Sequence, residues 1–528
     1  MQLSKYTMMF PLVSPEGTKT GESTLINGLY GAVDIVSSQE SALISDAVHT
    51  PSLLQELPKS RLETLTDRGH IVSSEAQESE DLRIISRIHT LLYGRGGVGL
   101  ILAPTYNCNL RCSYCFERHR LARGLDWLER TMSDSLLESI FAQLKDYKSR
   151  GYSVKGCSLY GGEPLLARNK ALIRKICEHC RQMDMSIGAV TNGCDLDQFL
   201  DLIDEYKISS IQVTVDGVGD VHDRRRPFAE GRGSYSRIMD NRALALSHGV
   251  KISLRVNVGR SNLSSITELP EEFKKRGFTE SENFSYYFKA VDSPDDGMTD
   301  SEVMNEILKS GVNFEEAAEL ESDYSVAARN LAGWLDKNSW PALHTTYCGS
   351  ENGMHVIGPD GLIYTCWNFV GMDEKATGFV EDGRFFYNFE TAKWKTRTVD
   401  KMTPCRDCPI LMLCGGGCAR HGADDLTIGM CEGNREIFAE AAPRLLEKVR
   451  REGIEGLKKS RRHDPEMDKG DSPADKLAVK SKYADDESCM SLSFREILGT
   501  LTQEERNILM TTNSERTAFD ILKAHNFA

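Results

Sequence analysis

At 528 residues the chain is too long for one ordinary core, and its length predicts roughly three or four domains. Hydrophobic residues make up 40 % and charged residues 27 %, the composition of a globular protein in water. A net charge of −14 excludes a general nucleic-acid or anionic-membrane binder, because either needs a basic face.

The opening MQLSKYTMMFPLVSPEG has a short apolar stretch broken by Pro11, so no signal peptide is expected. No apolar run approaches the ~18–20 residues of a bilayer span, and a cytoplasmic location is the expectation. Residues 1–95 read as a small domain. Lys5–Val13 and Thr24–Val36 alternate like strands around the turn-rich Ser14-Pro15-Glu16-Gly17, and helical patterns follow over Ser38–Leu57 and Leu82–Tyr93. The glycines at 94, 96 and 97 mark a boundary.

Across 96–299, apolar runs at 98–102, 154–160, 186–191, 210–215, 251–258 and 284–291 alternate with helical segments at 134–149, 171–183, 196–206 and 235–248. Strands alternating with helices predict βαβ units and a parallel sheet, hence an α/β fold. Residues 300–345 read as a helical connection. Residues 346–450 are rich in cysteine and glycine and lack long periodic segments, as when metal organises a fold. Residues 451–490 are charged and poor in aromatics, the composition of a flexible linker. A helical tail, 491–528, follows, with Thr502-Gln503-Glu504-Glu505 as a capping box.

Fifteen cysteines in a long chain without a secretion signal are better read as metal ligands than as disulfides. Cys108, Cys112 and Cys115 place three thiolates on one loop directly after the first strand, with no fourth. Such soft donors suit iron–sulfur clusters or zinc. The second strand ends in Tyr160-Gly161-Gly162-Glu163-Pro164, where glycines let backbone approach a ligand closely. Thr191-Asn192-Gly193 follows the third strand and Thr214-Val215-Asp216-Gly217 the fourth, while Arg255 and Asn257 lie on the fifth. A second group runs Cys348-x12-Gly361-x4-Cys366, then Cys405-x2-Cys408-x5-Cys414-x3-Cys418, then Cys431. Of these only Cys405/Cys408 has the spacing of a zinc knuckle. Cys157, Cys177, Cys180, Cys194 and Cys489 read as small apolar fillers.

Together these motifs resemble the radical SAM superfamily with a C-terminal SPASM domain, as found in maturases of ribosomally made peptides. The resemblance implies a partial (β/α)6 TIM-like barrel, a winged-helix-like N-terminal peptide-recognition domain and a cysteine-rich SPASM domain. It implies a [4Fe–4S] cluster on Cys108, Cys112 and Cys115 whose open iron chelates S-adenosylmethionine. The cofactor contacts it suggests are Tyr114, Gly161, Gly162, Glu163, Pro164, Thr191, Asn192, Thr214 and Arg255.

Two auxiliary iron–sulfur clusters are implied as well. Cys405, Cys408, Cys414 and Cys431 would hold one; Cys348, Cys366 and Cys418 would hold the other, with an open iron or a ligand such as His344. Glycines 415–417 would bring backbone N–H groups near cluster sulfurs. The implied partners are a peptide or protein substrate, in some relatives carrying a leader that adds as a strand to a sheet edge, and a reductant such as flavodoxin or ferredoxin. Nucleic acid and membrane are not expected.

The resemblance implies an oxidoreductase that breaks the sulfonium bond after one-electron reduction and abstracts a substrate hydrogen. The preferred outcome is a thioether or carbon–carbon cross-link in a peptide. The alternative is an anaerobic sulfatase maturase forming formylglycine. In those enzymes a carboxylate base follows the cysteine matching Cys366, whereas Trp367 and Asn368 stand here. A radical dehydrogenase of a small molecule comes next, and an iron–sulfur electron carrier last.

Overall fold

The computed structural model describes residues 1–13, 19–93, 97–208, 210–291, 296–299, 302–303, 306, 326–335, 343–422, 424–431, 433–460, 481–483 and 485–525. Most of the connection read at 300–345, and 461–480 of the charged segment, lie outside them. Two compact units interleave along the chain. Unit one comprises Met1–Gly96, Glu321–Cys348 and Arg397–Ala528; unit two comprises Gly97–Leu320 and Gly349–Thr396.

In unit one, β1 (Gln2–Leu3), β2 (Thr7–Val13), β3 (Lys19–Asn27), β4 (Val33–Val36) and β5 (Ile71–Val72) form two antiparallel sheets, β2–β3–β4 and β1–β5. The helix Ser38–Ala47 follows β4 through a capping box, in which Ser37 and Glu40 satisfy each other's backbone N–H groups. One core joins Tyr6, Leu29 and Tyr30 to Trp334, to Phe438 and Leu446 on the helix Asn434–Ser460, and to Phe494 and Leu509 of the tail. The N-terminal residues therefore share their burial with residues more than 300 positions away.

The tail is built into this unit. Met490 N–H donates to Val33 O at 2.8 Å and Ile35 N–H to Ser488 O at 2.7 Å, so the tail pairs antiparallel with β4 at Asp34 and Cys489. Residues 451–460, the end of the helix Asn434–Ser460, and residues 481–483 and 485–490 thus differ from the flexible linker that the composition of 451–490 suggests. In 481–483 the polar groups have specific partners: Lys482 and Tyr483 reach Asp67, and Ser481 reaches Glu496. Cys489 is buried beside Asp34.

In unit two, β6 (Gly97–Leu102), β7 (Ser153–Leu159), β8 (Ser186–Thr191), β9 (Ser210–Thr214), β10 (Ile252–Val258) and β11 (Phe284–Ala290) pair parallel in that spatial order. Parallel strands covered on both faces need near-continuous apolar runs, which is why these six are visible in the sequence. The helices Asp134–Ser149, Lys170–Gln182 and Tyr235–Ser247 connect successive strands. The sheet then continues beyond β6. β12 (Met354–Ile357) joins β6 in parallel, and β13 (Leu362–Tyr364), β14 (Gly378–Glu381) and β15 (Arg384–Tyr387) extend it antiparallel. Part of the cysteine-rich segment therefore builds onto the barrel sheet.

With β6–β11 parallel, their C-terminal ends share one side, where chemistry sits in barrels of this kind. Among the described residues, no helix is long and apolar enough to cross a membrane.

Candidate active site

The loop after β6 carries the three cysteines and is pinned against residues 225–229. Arg111 N–H donates to Pro227 O (2.8 Å), Ser113 N–H to Arg225 O (3.0 Å) and Ala229 N–H to Asn109 O (2.8 Å). Cys108, Cys112 and Cys115 are half-buried. Burial pushes the Cys108 thiol well up, and Glu163, Cys112 and Cys115 add to it. Burial, with Glu117 and Cys112, takes Cys115 to about 12. Three thiols that penalise one another's ionisation form a donor set that a cationic metal centre relieves, and an iron–sulfur cluster fits it. Among the described residues, no three His, Cys, Asp or Glu side chains converge on a single-ion site. A cluster is broader than an ion, and its cysteines surround a larger volume.

The strand ends hold this loop in place. A Cβ built at Gly162 would lie 2.2 Å from the Asn107 carbonyl oxygen, and Glu163 N–H donates to that oxygen at 2.7 Å. The approach that requires glycine here is of the chain to its own cysteine loop. The Glu163 side chain is buried and faces inward. Its Oε1 accepts from Leu165 N–H (2.9 Å) and Thr191 Oγ1 (2.6 Å), and its Oε2 from Asn192 N–H (2.6 Å). Burial raises its pKa to about 7 against the pull of those donors. Asn192 Nδ2 in turn donates to Asn109 Oδ1 (2.7 Å) and lies 3.7 Å from Cys108 Sγ. Leu110 N–H adds a donor to the same sulfur at 3.4 Å. Pro164, Thr191 and Thr214 are buried.

Glu163→Gln keeps the size of the side chain but turns one acceptor into a donor facing a backbone N–H. Leaving that N–H unpaired costs about 1–3 kcal/mol. We expect a 10- to 100-fold loss in cluster retention or turnover, typical when an outer partner of a metal centre is lost. Iron content and turnover of the purified variant check this.

The Tyr114 hydroxyl accepts from Arg226 (2.7 Å) and from Asn257 Nδ2 (3.1 Å), and the Arg225 guanidinium sits over its ring at 4.9 Å. Asp216 accepts from Asn257 N–H at 3.2 Å and pairs with Arg225 at 3.6 Å. Arg255 donates to Asn257 Oδ1 at 2.8 Å. Asp216 lies in the Thr214–Gly217 motif that the sequence singles out, whereas Arg225 and Arg226, packed against the same loop, were missed there. The signal was the cationic run Arg224-Arg225-Arg226-Pro227 in an acidic chain.

Beside the loop, the rings of Phe116, Tyr160 and Trp367 form a wall, with centroids 6.3 and 6.0 Å apart. Cys366 precedes Trp367, is buried, and receives Asn368 Nδ2 at 3.6 Å.

Unit one gathers four further cysteines. Burial, with Cys408 and Cys431, takes Cys405 to about 11, and burial, with Cys405 and Cys408, takes Cys414 to about 12. Cys408 rises for the same reasons. Gly415, Gly416 and Gly417 have φ of 75°, 93° and 73°, a left-handed run that only glycine adopts readily. The N–H groups of Gly416 and Gly417 are directed at the Cys414 sulfur. Of the remaining cysteines, Cys348 and Cys418 belong to unit one and Cys366 to unit two. His344 lies beside His89.

A Cβ built at Gly429 would sit 1.9 Å from Cys405 Sγ. Gly429→Ala is therefore expected to displace that sulfur and lose the iron of one cluster. Iron and sulfide analysis against the parent protein reads the loss.

Residues 102–272 match the Radical SAM superfamily. The chain is 22 % identical over 373 residues to a cysteine-type anaerobic sulfatase-maturating enzyme of Clostridium novyi, covering 66 % of this chain and 94 % of that one. It is 22 % identical over 373 residues to a serine-type anaerobic sulfatase-maturating enzyme of Bacteroides thetaiotaomicron, covering 64 % and 87 %. The solved structure of hexahistidine-tagged anSMEcpe with bound AdoMet aligns with a TM-score of 0.52 at 19 % identity, over 70 % of this chain and 99 % of that one. At that identity the likeness is one of fold.

Proposed function

We propose that the chain, whose residues 102–272 match the Radical SAM superfamily, is a radical SAM enzyme that installs a thioether or carbon–carbon cross-link in a ribosomally made peptide. When bound, a cluster at Cys108, Cys112 and Cys115 together with S-adenosylmethionine supplies one-electron chemistry that removes hydrogen from an unactivated carbon. The chain's own residues position that chemistry. Asn192 and Leu110 direct N–H groups toward Cys108. Glu163 ties the ends of β7 and β8 to the loop. Phe116, Tyr160 and Trp367 offer an apolar wall that keeps water from a reactive carbon.

The observation that carries the cross-linking reading is Trp367-Asn368 after Cys366. Neither side chain accepts a proton at neutral pH, whereas formylglycine formation calls for a base. The names of the curated relatives favour the second reading, sulfatase maturation. In either reading the substrate is a peptide segment, and the reductant is a flavodoxin- or ferredoxin-type carrier. The ligand sets are those suggested by the sequence: Cys405, Cys408, Cys414 and Cys431 for one auxiliary cluster, Cys348, Cys366 and Cys418 for the other. A leader peptide adding as a strand would meet β4 already paired by the tail. The other edge of that sheet is β2.

Mass spectrometry of candidate peptides incubated anaerobically with reduced enzyme and S-adenosylmethionine tests the assignment. Loss of two hydrogens, with fragmentation blocked between the joined residues, is expected. Conversion of a cysteine or serine to an aldehyde would transfer the assignment to sulfatase maturation.

A further inference from the structure

Arg397 is buried in unit one, next to the glycine turn and Cys405, and the cross-linking reading gives it no role. Its Nη1 donates to Gly417 O at 3.2 Å, and its Nη2 to Gly416 O at 3.1 Å and Ile428 O at 3.4 Å. The guanidinium thus stitches the turn that follows Cys414 to the strand-like segment that leads to Cys431. Met430 N–H completes the stitch by donating to Gly416 O at 3.0 Å.

Two physical consequences follow. The Gly416 carbonyl and the Gly417 N–H belong to one planar trans peptide and point in opposite directions. Drawing that carbonyl toward Arg397 turns the Gly417 N–H toward the Cys414 sulfur, where it is found. The arginine also places a positive charge close to Cys405. A cluster held by four thiolates becomes more negative on reduction. A buried cation and N–H donors to sulfur both favour that state and raise the reduction potential.

We infer that Arg397 is a positioning residue that raises the reduction potential of a cluster held by Cys405, Cys408, Cys414 and Cys431. The inference rests on that proposed ligand set. Arginine suits the task better than lysine, because its planar fork serves several carbonyls at once while keeping its charge.

The test uses the full chain carrying Cys108→Ala, Cys112→Ala and Cys115→Ala, so that only auxiliary clusters report, titrated against a redox buffer and followed by electron paramagnetic resonance. In this background Arg397→Met should lower one midpoint, shifting its reduction equilibrium at least tenfold toward the oxidised state, about 59 mV for one electron. The other midpoint should hold, and Arg397→Lys should recover part of the shift. Three results would overturn the inference: unchanged midpoints at unchanged iron content, both midpoints falling together, or equal iron loss in the methionine and lysine variants. The last would make Arg397 a clamp for the turn and nothing more. A separate Cys414→Ala variant that keeps all its iron would instead overturn the ligand set.

Discussion

Cys112→Ala is expected to abolish S-adenosylmethionine cleavage. The loss of an outer partner of a metal centre already costs 10–100-fold, so removing one of the three proposed ligands should exceed about 100-fold. Cys112 is the middle thiol of the loop, raised by burial and Asp216 and lowered by the nearby Arg226. Alanine there leaves Cys108 and Cys115 without a third donor. The measurement is chromatography of deoxyadenosine and methionine after anaerobic reduction, with iron content alongside. Cys180→Ala is the control: this cysteine is buried on the helix Lys170–Gln182, and its loss should leave cleavage intact. Wild-type turnover in Cys112→Ala would move the chemistry off this loop.

The second large effect concerns folding. Asp34→Ala should cost about 3–5 kcal/mol, because removing one partner of a buried ion pair strands the other. Asp34 is fully buried; its Oδ1 accepts from Arg68 Nε at 2.7 Å and its Oδ2 from His70 Nε2 at 2.7 Å. Thr7 Oγ1 lies 3.2 Å from His70 Nδ1, which assigns the neutral tautomer with its proton on Nε2. Arg68 also pairs with Glu496 at 2.7 Å, so the same cation anchors the tail. The lowest unfolding transition of the full chain in urea should shift down accordingly.

The pH dependence of this network has one sign. The Arg68 guanidinium, together with the hydrogen bond from His70, holds the Asp34 carboxyl well below the usual carboxylate range despite burial. Its stabilisation is therefore complete above about pH 4 and lost on acidification, as the unfolded chain takes up the proton first. Burial lowers the His70 pKa, so protonation of the unfolded chain below about pH 6.5 also works against the fold. Asp34→Ala should flatten the acid limb below about pH 4. A variant whose stability and acid limb both match the parent would contradict the network's role.

The six parallel strands are legible in the sequence because burial on both faces demands apolar runs, and the cysteine loop because ligand spacing is local. Strands β12–β15 are not: Leu362–Tyr364 is three residues long, too short to carry a period. Residues 481–490 read as solvated because their partners lie far away in the chain. Lys482 and Tyr483 reach Asp67, and no local pattern announces such pairs. Glu163 is legible as a motif residue, but its inward-facing carboxylate is not. The donors it accepts from, Leu165, Thr191 and Asn192, lie at or beyond the ends of two different strands, and only the packed sheet brings them within reach. Arg397 is equally silent, since its partners are backbone carbonyls, which any residue supplies.

The most direct test of the central claim is electron paramagnetic resonance of the reduced, anaerobically reconstituted protein before and after adding S-adenosylmethionine. The signal dependent on Cys108, Cys112 and Cys115 should change its g-values when S-adenosylmethionine is added. Protein that carries zinc without iron at those cysteines, or a signal that S-adenosylmethionine leaves unchanged, would contradict that claim.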